Sequence, residues 1–187
     1  VYGRYRKRVV ELLSRIESRE GVYACLGNHD YGMGGAFEPL WQDLLAEMLS
    51  GMAEAGIVVL RNEAEAIERS GERLWLVGLG DLWAGDFSPR RAFSDVPAEE
   101  VAIALSHNPK TVELLKDYPV RLVLSGHTHG VQRQVDASGS LPVVRKHRHH
   151  AGMYQVDGTC LYVNRGLGRL GKAFFNARPE ITVFNLR

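Results

Sequence analysis

Three short polar stretches hold the residues best suited to chemistry: Gly27 Asn28 His29 Asp30, Ser106 His107 Asn108 Pro109, and Gly126 His127 Thr128 His129 Gly130. Each stands at the end of an apolar run, residues 22–26, 101–105 and 120–124. Apolar runs of that length read as buried parallel strands, and open α/β sheets collect ligands at the carboxyl ends of such strands. Three polar tips can therefore converge on one crevice. Neutral imidazoles suit transition ions, and the Asn28 side-chain carbonyl would add a hard ligand without adding charge. Two divalent ions about 3.5–4 Å apart would bind both free oxygens of a phosphate and lower the pKa of a bridging water, giving a hydroxide for in-line attack. His127 and His129, two residues apart, would face one side of a continued strand and so address adjacent ions. Gly126 and Gly130 let the backbone come close.

The elements that must position these tips follow from periodicity. Residues 5–19 carry Val9, Leu12, Leu13 and Ile16 at helical spacing, and residues 40–55 do the same through Leu44, Leu45, Met48, Leu49 and Met52, with Gly56 as the stop. Residues 57–60 begin a strand. Runs 64–67 and 74–79 flank Ser70 Gly71 Glu72, which predicts a hairpin. Residues 81–97 are polar, aromatic and proline-bearing, which predicts a loop; short helices are expected at 97–100 and 110–116. Turn residues fill 136–140, and 152–156, 160–163 and 180–186 read as a closing antiparallel set of strands.

With 187 residues, 45% hydrophobic and 24% charged, the chain can bury a sizeable core as one globular domain. A net charge of +1 gives no general field for nucleic acid or anionic lipid, although Arg145 Lys146 His147 Arg148 His149 His150 form a local basic segment. That segment reads as a solvated face rather than an extra metal site. Cys25 and Cys160 lie in apolar contexts without metal-type spacing and read as buried thiols. No run of about eighteen apolar residues and no charged-then-apolar leader is visible. Trp41, Trp75 and Trp83 read as core or cleft wall, since no basic groove interleaves with them.

Taken together, Gly27 to Asp30, His107 and Gly126 to His129 resemble the last three of the five motifs of the calcineurin-like metallophosphoesterases, in order and in spacing. The tail Tyr162 Val163 Asn164 Arg165 Gly166 Leu167 Gly168, with Arg178 Pro179 Glu180 Ile181 Thr182, is similar to a bacterial branch of membrane-associated and exported phosphoesterases, which includes enzymes acting on UDP-diacylglucosamine. The resemblance implies an α/β fold, a four-layer αββα sandwich, forming one domain over 1–187. It implies a hydrolase of a phosphomonoester, phosphodiester or diphosphate that uses two divalent ions of the manganese, iron, zinc or nickel class. By position, Asn28, His107 and His127 would bind the second ion and His129 the first. His29 would protonate the leaving oxygen or stabilise the charged transition state, and Asp30 would orient it.

Two family motifs, Asp-x-His and Gly-Asp-x-x-Asp, precede Gly-Asn-His in the pattern and are not in this sequence. They would supply the bridging aspartate and most of the first metal's ligands. Residues 1–26 resemble the helix and strand between the second and third motifs, so the expectation is a carboxyl-terminal portion of a longer domain. Gly80 Asp81 Leu82 Trp83 Ala84 Gly85 Asp86 opens like the absent Gly-Asp motif, but its second acid comes two residues late and it follows Asn28. It reads as a loop, with Asp81 lining the cleft toward substrate. Arg165, before glycines, is a second substrate candidate through its bidentate fork, against the alternative of a surface turn arginine.

The implied substrates are phosphate esters or diphosphates, small or lipid-linked, with no specific nucleic-acid partner. Peripheral membrane association through a preceding segment or the basic segment is a further expectation. Two other functions compete: a non-catalytic scaffold, which would have no need of His29 and Asp30, and a mononuclear metal module on Asn28, His107 and His127. A metal count separates the last.

Overall fold

The computed structural model describes residues 6–33, 41–130, 148–167 and 178–186. A small parallel sheet comes first. β1 (Val22–Ala24) pairs with β2 (Ile57–Val59), Val22 opposite Ile57. Parallel strands need a crossover, and α2 (Trp41–Glu54) lies within it. Its Leu45, Met48, Leu49 and Met52 pack with Leu26 and Ile57. The helix ends as its sequence requires, at Gly56 with φ +73°. α1 (Arg6–Leu13) adds Val10 and Leu13 to this cluster. It is shorter than the expected 5–19, because Ile16 is half exposed and finds no core to hold a further turn.

The second sheet has six strands in the order β3-β4-β5-β6-β8-β7. β3 (Glu63–Arg69) and β4 (Glu72–Gly78) form the expected hairpin, with Ser70 and Gly71 both at positive φ, as a type I′ turn demands. β4, β5 (Ala102–Leu105), β6 (Val120–Ser125) and β8 (Thr159–Val163) run parallel. At the edge opposite β3, β7 (Gly152–Val156) also runs antiparallel to its neighbour, joined to β8 through Asp157 and Gly158. Val77, Ala102, Ala104, Val123, Leu161 and Val163 are fully buried along the inner strands.

Three expectations are corrected. Residues 97–100 form a turn, Glu100 N–H to Pro97 O at 3.1 Å, whereas a single helical turn, α3 (Pro89–Ala92), forms inside the expected loop. Pro89 presets φ at the first helical position, and Ala92 and Phe93 are buried beneath it. Residues Pro109–Leu114 form a 3-10 helix capped by Asn108, whose Oδ1 accepts from Lys110 N–H. The closing set is not wholly antiparallel, since β8 lies parallel to β6. Residues 180–186 form no strand: they are held by side chains, with Thr182 Oγ1 at 2.8 Å from the Tyr162 hydroxyl and Phe184 edge-on to Tyr162.

The two sheets meet where glycine is obligatory. A Cβ on Gly78 would stand 2.1 Å from Leu60 Cβ and 2.5 Å from Leu60 O, both fixed by backbone that hydrogen-bonds Ala24. Gly78→Ala is therefore expected to destabilise the fold by about 1–3 kcal/mol or more, as overpacking does, read as a lower urea midpoint. An unchanged midpoint would show that the sheets are free to separate there.

Candidate metal centre

The turn after β1 carries Asn28, the residues after β5 carry His107, and those after β6 carry His127. These side chains meet. Asn28 Oδ1 lies 3.1 Å from His107 Nε2 and 3.2 Å from His127 Nδ1. Two donors bound about 2.1 Å from one ion at angles of 90–109° would be about 3.0–3.4 Å apart. The observed spacing is that of adjacent ligands on one transition ion. No group of three His, Cys, Asp or Glu side chains that could hold a metal ion occurs among the described residues; the third donor of this trio is the Asn28 amide oxygen.

The backbone is shaped around these rings. A Cβ on Gly27 would stand 2.8 Å from three atoms of the His107 ring. Asp30 closes the same turn, its Oδ2 accepting from Gly27 N–H at 2.8 Å. Contrary to the expectation of a continued strand, His127 and His129 lie beyond β6, which ends at Ser125. They take φ of +67° and +53° with Gly130 at +69°, a left-handed turn that non-glycine residues adopt at a cost. Thr128 between them donates to His150 O at 2.5 Å.

Burial lowers the pKa of His107. Asp81 and then Asp30 oppose that shift, while His129 and His29 add to it. Burial also lowers His129, with His29 as the second cause. Both shifts favour the neutral imidazole, the form that binds a metal ion. His149 is lowered by burial too. A depressed histidine binds fewer protons folded than unfolded, so its stability contribution is full above the ordinary 6.5 and is lost as pH falls toward the lowered values. Metal-free protein should accordingly melt at a lower temperature at about pH 5.5 than at about pH 7.5. A rise on acidification would contradict this arrangement.

Other sequence candidates fall elsewhere. Asp81 is 1% exposed, so it does not line an open cleft; its Oδ1 accepts from the N–H groups of Trp83 and Ala84 at 2.8 and 2.9 Å. Trp83 is a cleft wall, half exposed and edge-on to His127 with ring centroids 4.2 Å apart. The Arg165 guanidinium pairs with Glu180 at 3.4 Å, and its N–H also meets that carboxylate. The basic segment is not a uniform solvated face: His149 is buried on Tyr154, and Arg148 pairs with Glu113, while 145–147 lie outside the described residues. The cysteines are partly rather than fully buried, and desolvation pushes the Cys25 thiol up to about 12.

Sequence reasoning missed the residues that hold the loop 80–88. Asn62 Oδ1 accepts from the N–H groups of Gly80 and Ser88, and its Nδ2 donates to Asp86 O. Asp86 Oδ2 receives the Tyr31 hydroxyl at 2.5 Å and Arg61 Nε at 2.6 Å. This ties the loop to the turn that bears His29. The spacing of Asp81 and Asp86 was the available signal.

The sequence profile of the calcineurin-like phosphoesterases matches residues 2–131. The chain is 37% identical over 181 residues to the phosphodiesterase YaeI of Escherichia coli, covering 94% of this chain and 62% of that protein. It is 36% identical to the metallophosphoesterase YkuE of Bacillus subtilis, over 98% of this chain and 62% of that one. With the UDP-2,3-diacylglucosamine pyrophosphatase LpxG of Chlamydia trachomatis it shares 29% identity over 94% of this chain and 67% of that enzyme. The chain thus spans about three fifths of the length of the first two. No solved structure matches it. With its α/β fold, its strand-end trio and this match, the chain belongs to the calcineurin-like phosphoesterase family.

Proposed function

We propose that the protein hydrolyses a phosphomonoester, phosphodiester or diphosphate bond with divalent metal ions at this centre, in one αββα domain. The observation that carries this reading is the shared position of Asn28 Oδ1 between His107 Nε2 and His127 Nδ1. The residues fit a metal of the manganese, iron, zinc or nickel class. When bound, such ions supply Lewis-acid charge and an activated water. Asn28, His107 and His127 would hold one ion and His129 the other, the family's two earlier motifs supplying the rest. His29 gives a proton to the leaving oxygen, with Asp30 fixing its turn and orientation. Arg165 would meet the substrate phosphate by exchanging its bond with Glu180. Relatives named as a phosphodiesterase and as a pyrophosphatase of a lipid precursor support small or lipid-linked phosphate substrates. The basic segment or a preceding segment would make any peripheral membrane contact; no helix among the described residues is long and apolar enough to cross a membrane.

The test is elemental analysis of protein offered manganese and zinc, paired with hydrolysis of bis(p-nitrophenyl) phosphate by the chain extended upstream. Bound metal that is lost in His107→Ala is expected. No bound metal in either protein overturns the reading. The convergence of three donors among the described residues also favours a one-ion reading of this chain by itself, which a count near one would support and a count near two would exclude.

A further inference from the structure

Asp81 has a carboxyl oxygen that its visible bonds do not use. It follows β4 and is 1% exposed. Oδ1 caps the following loop through Trp83 and Ala84, a task that any side-chain carbonyl oxygen performs. Oδ2 is buried and has no hydrogen-bond partner among the described residues. A buried carboxylate left this way is costly unless a positive charge stands near it.

Its surroundings point to where that charge belongs. The loop it caps puts Trp83 edge-on to His127, and the loop is fastened by Asp86 to Tyr31 in the turn that bears Asn28. Asp81 is also the foremost carboxylate acting on His107, ahead of Asp30. His127 thus lies against the loop that Asp81 caps, and Asn28 shares a turn with the Tyr31 that fastens that loop through Asp86. The cleft reading assigned it to substrate, but its burial removes it from contact with any ligand that enters from solvent.

We propose that Asp81 is a positioning residue for the metal held by Asn28, His107 and His127, its Oδ2 serving as the buried counter-charge that raises the site's affinity for a divalent cation. This rests on the metal reading of that trio. Groups in the outer shell of a metal site tune its hold on the ion, and their loss typically costs about 10–100-fold in metal affinity.

Asp81→Asn separates the two parts of the side chain, because asparagine keeps an oxygen for the Trp83 and Ala84 N–H groups and removes the charge. The experiment is calorimetric titration of zinc into metal-free wild type, Asp81→Asn and His107→Ala, with thermal unfolding of each metal-free protein. Expected is a zinc affinity about 10–100-fold weaker in Asp81→Asn, with a metal-free unfolding temperature equal to or above wild type. Wild-type affinity in the variant overturns the proposal. So does a loss of affinity accompanied by a lower metal-free unfolding temperature, which would place Asp81's effect in the loop alone. A wild type that binds no zinc, or binds it equally after His107→Ala, overturns the metal reading itself and is distinguishable from both.

Discussion

Replacing His29 by alanine should lower turnover on a phosphodiester by about 10²–10⁴-fold while leaving the metal bound per chain unchanged, the range that removal of a general acid gives. Asn28 points its Oδ1 at two imidazoles, and His29 follows it in a turn closed by Gly32 N–H on His29 O and Met33 N–H on Asn28 O. His127→Ala should do the reverse, lowering affinity more than about 100-fold because it removes a donor rather than its support. Metal content and single-turnover rate measured on both variants decide the matter. Equal metal loss in the two would sink the division of roles, and full turnover in His29→Ala would return the scaffold reading to contention.

How much of this was legible in the sequence depended on whether a feature is local. β5 and β6 were readable because short apolar runs ending in polar residues have few other uses, and the Ser70 Gly71 turn because two positive φ values in a row select few residues. Residues 180–186 alternate like a strand, with Ile181 and Val183 strongly exposed and Thr182 and Phe184 turned toward Tyr162, yet alternation reports sidedness and not pairing. The convergence of Asn28 with His107 and His127 could be expected from their places at the carboxyl ends of apolar runs; the left-handed turn that delivers His127 could not, since positive φ is uncommon for any non-glycine residue. Burial of Asp81 and His149 was equally hidden. Polar residues are sunk only by what packs over them, and here that is a loop fastened by Asn62, Arg61 and Tyr31 and a ring from β7.

The same reasoning identifies a glycine on which the centre depends. Gly27→Ala would drive a methyl to 2.8 Å from three atoms of the His107 ring, and the ring cannot retreat without leaving Asn28 Oδ1 at 3.1 Å. Nor can the backbone yield, because Gly27 N–H is fixed on Asp30 Oδ2 and Gly27 O receives Asp30 N–H, each at 2.8 Å. The variant should lose about 10–100-fold in metal affinity and about 1–3 kcal/mol in stability. Gly126 supplies the control: it lies beside the same imidazole, but its added Cβ would meet His107 Nδ1 at an ordinary 3.9 Å. Gly126→Ala should therefore bind metal nearly as the wild type does. If the two glycine variants bind alike, His107 is free to move and its placement against Gly27 has no part in holding the ion. If only Gly27→Ala weakens binding, the close approach of backbone to imidazole is what aims Nε2 at the centre.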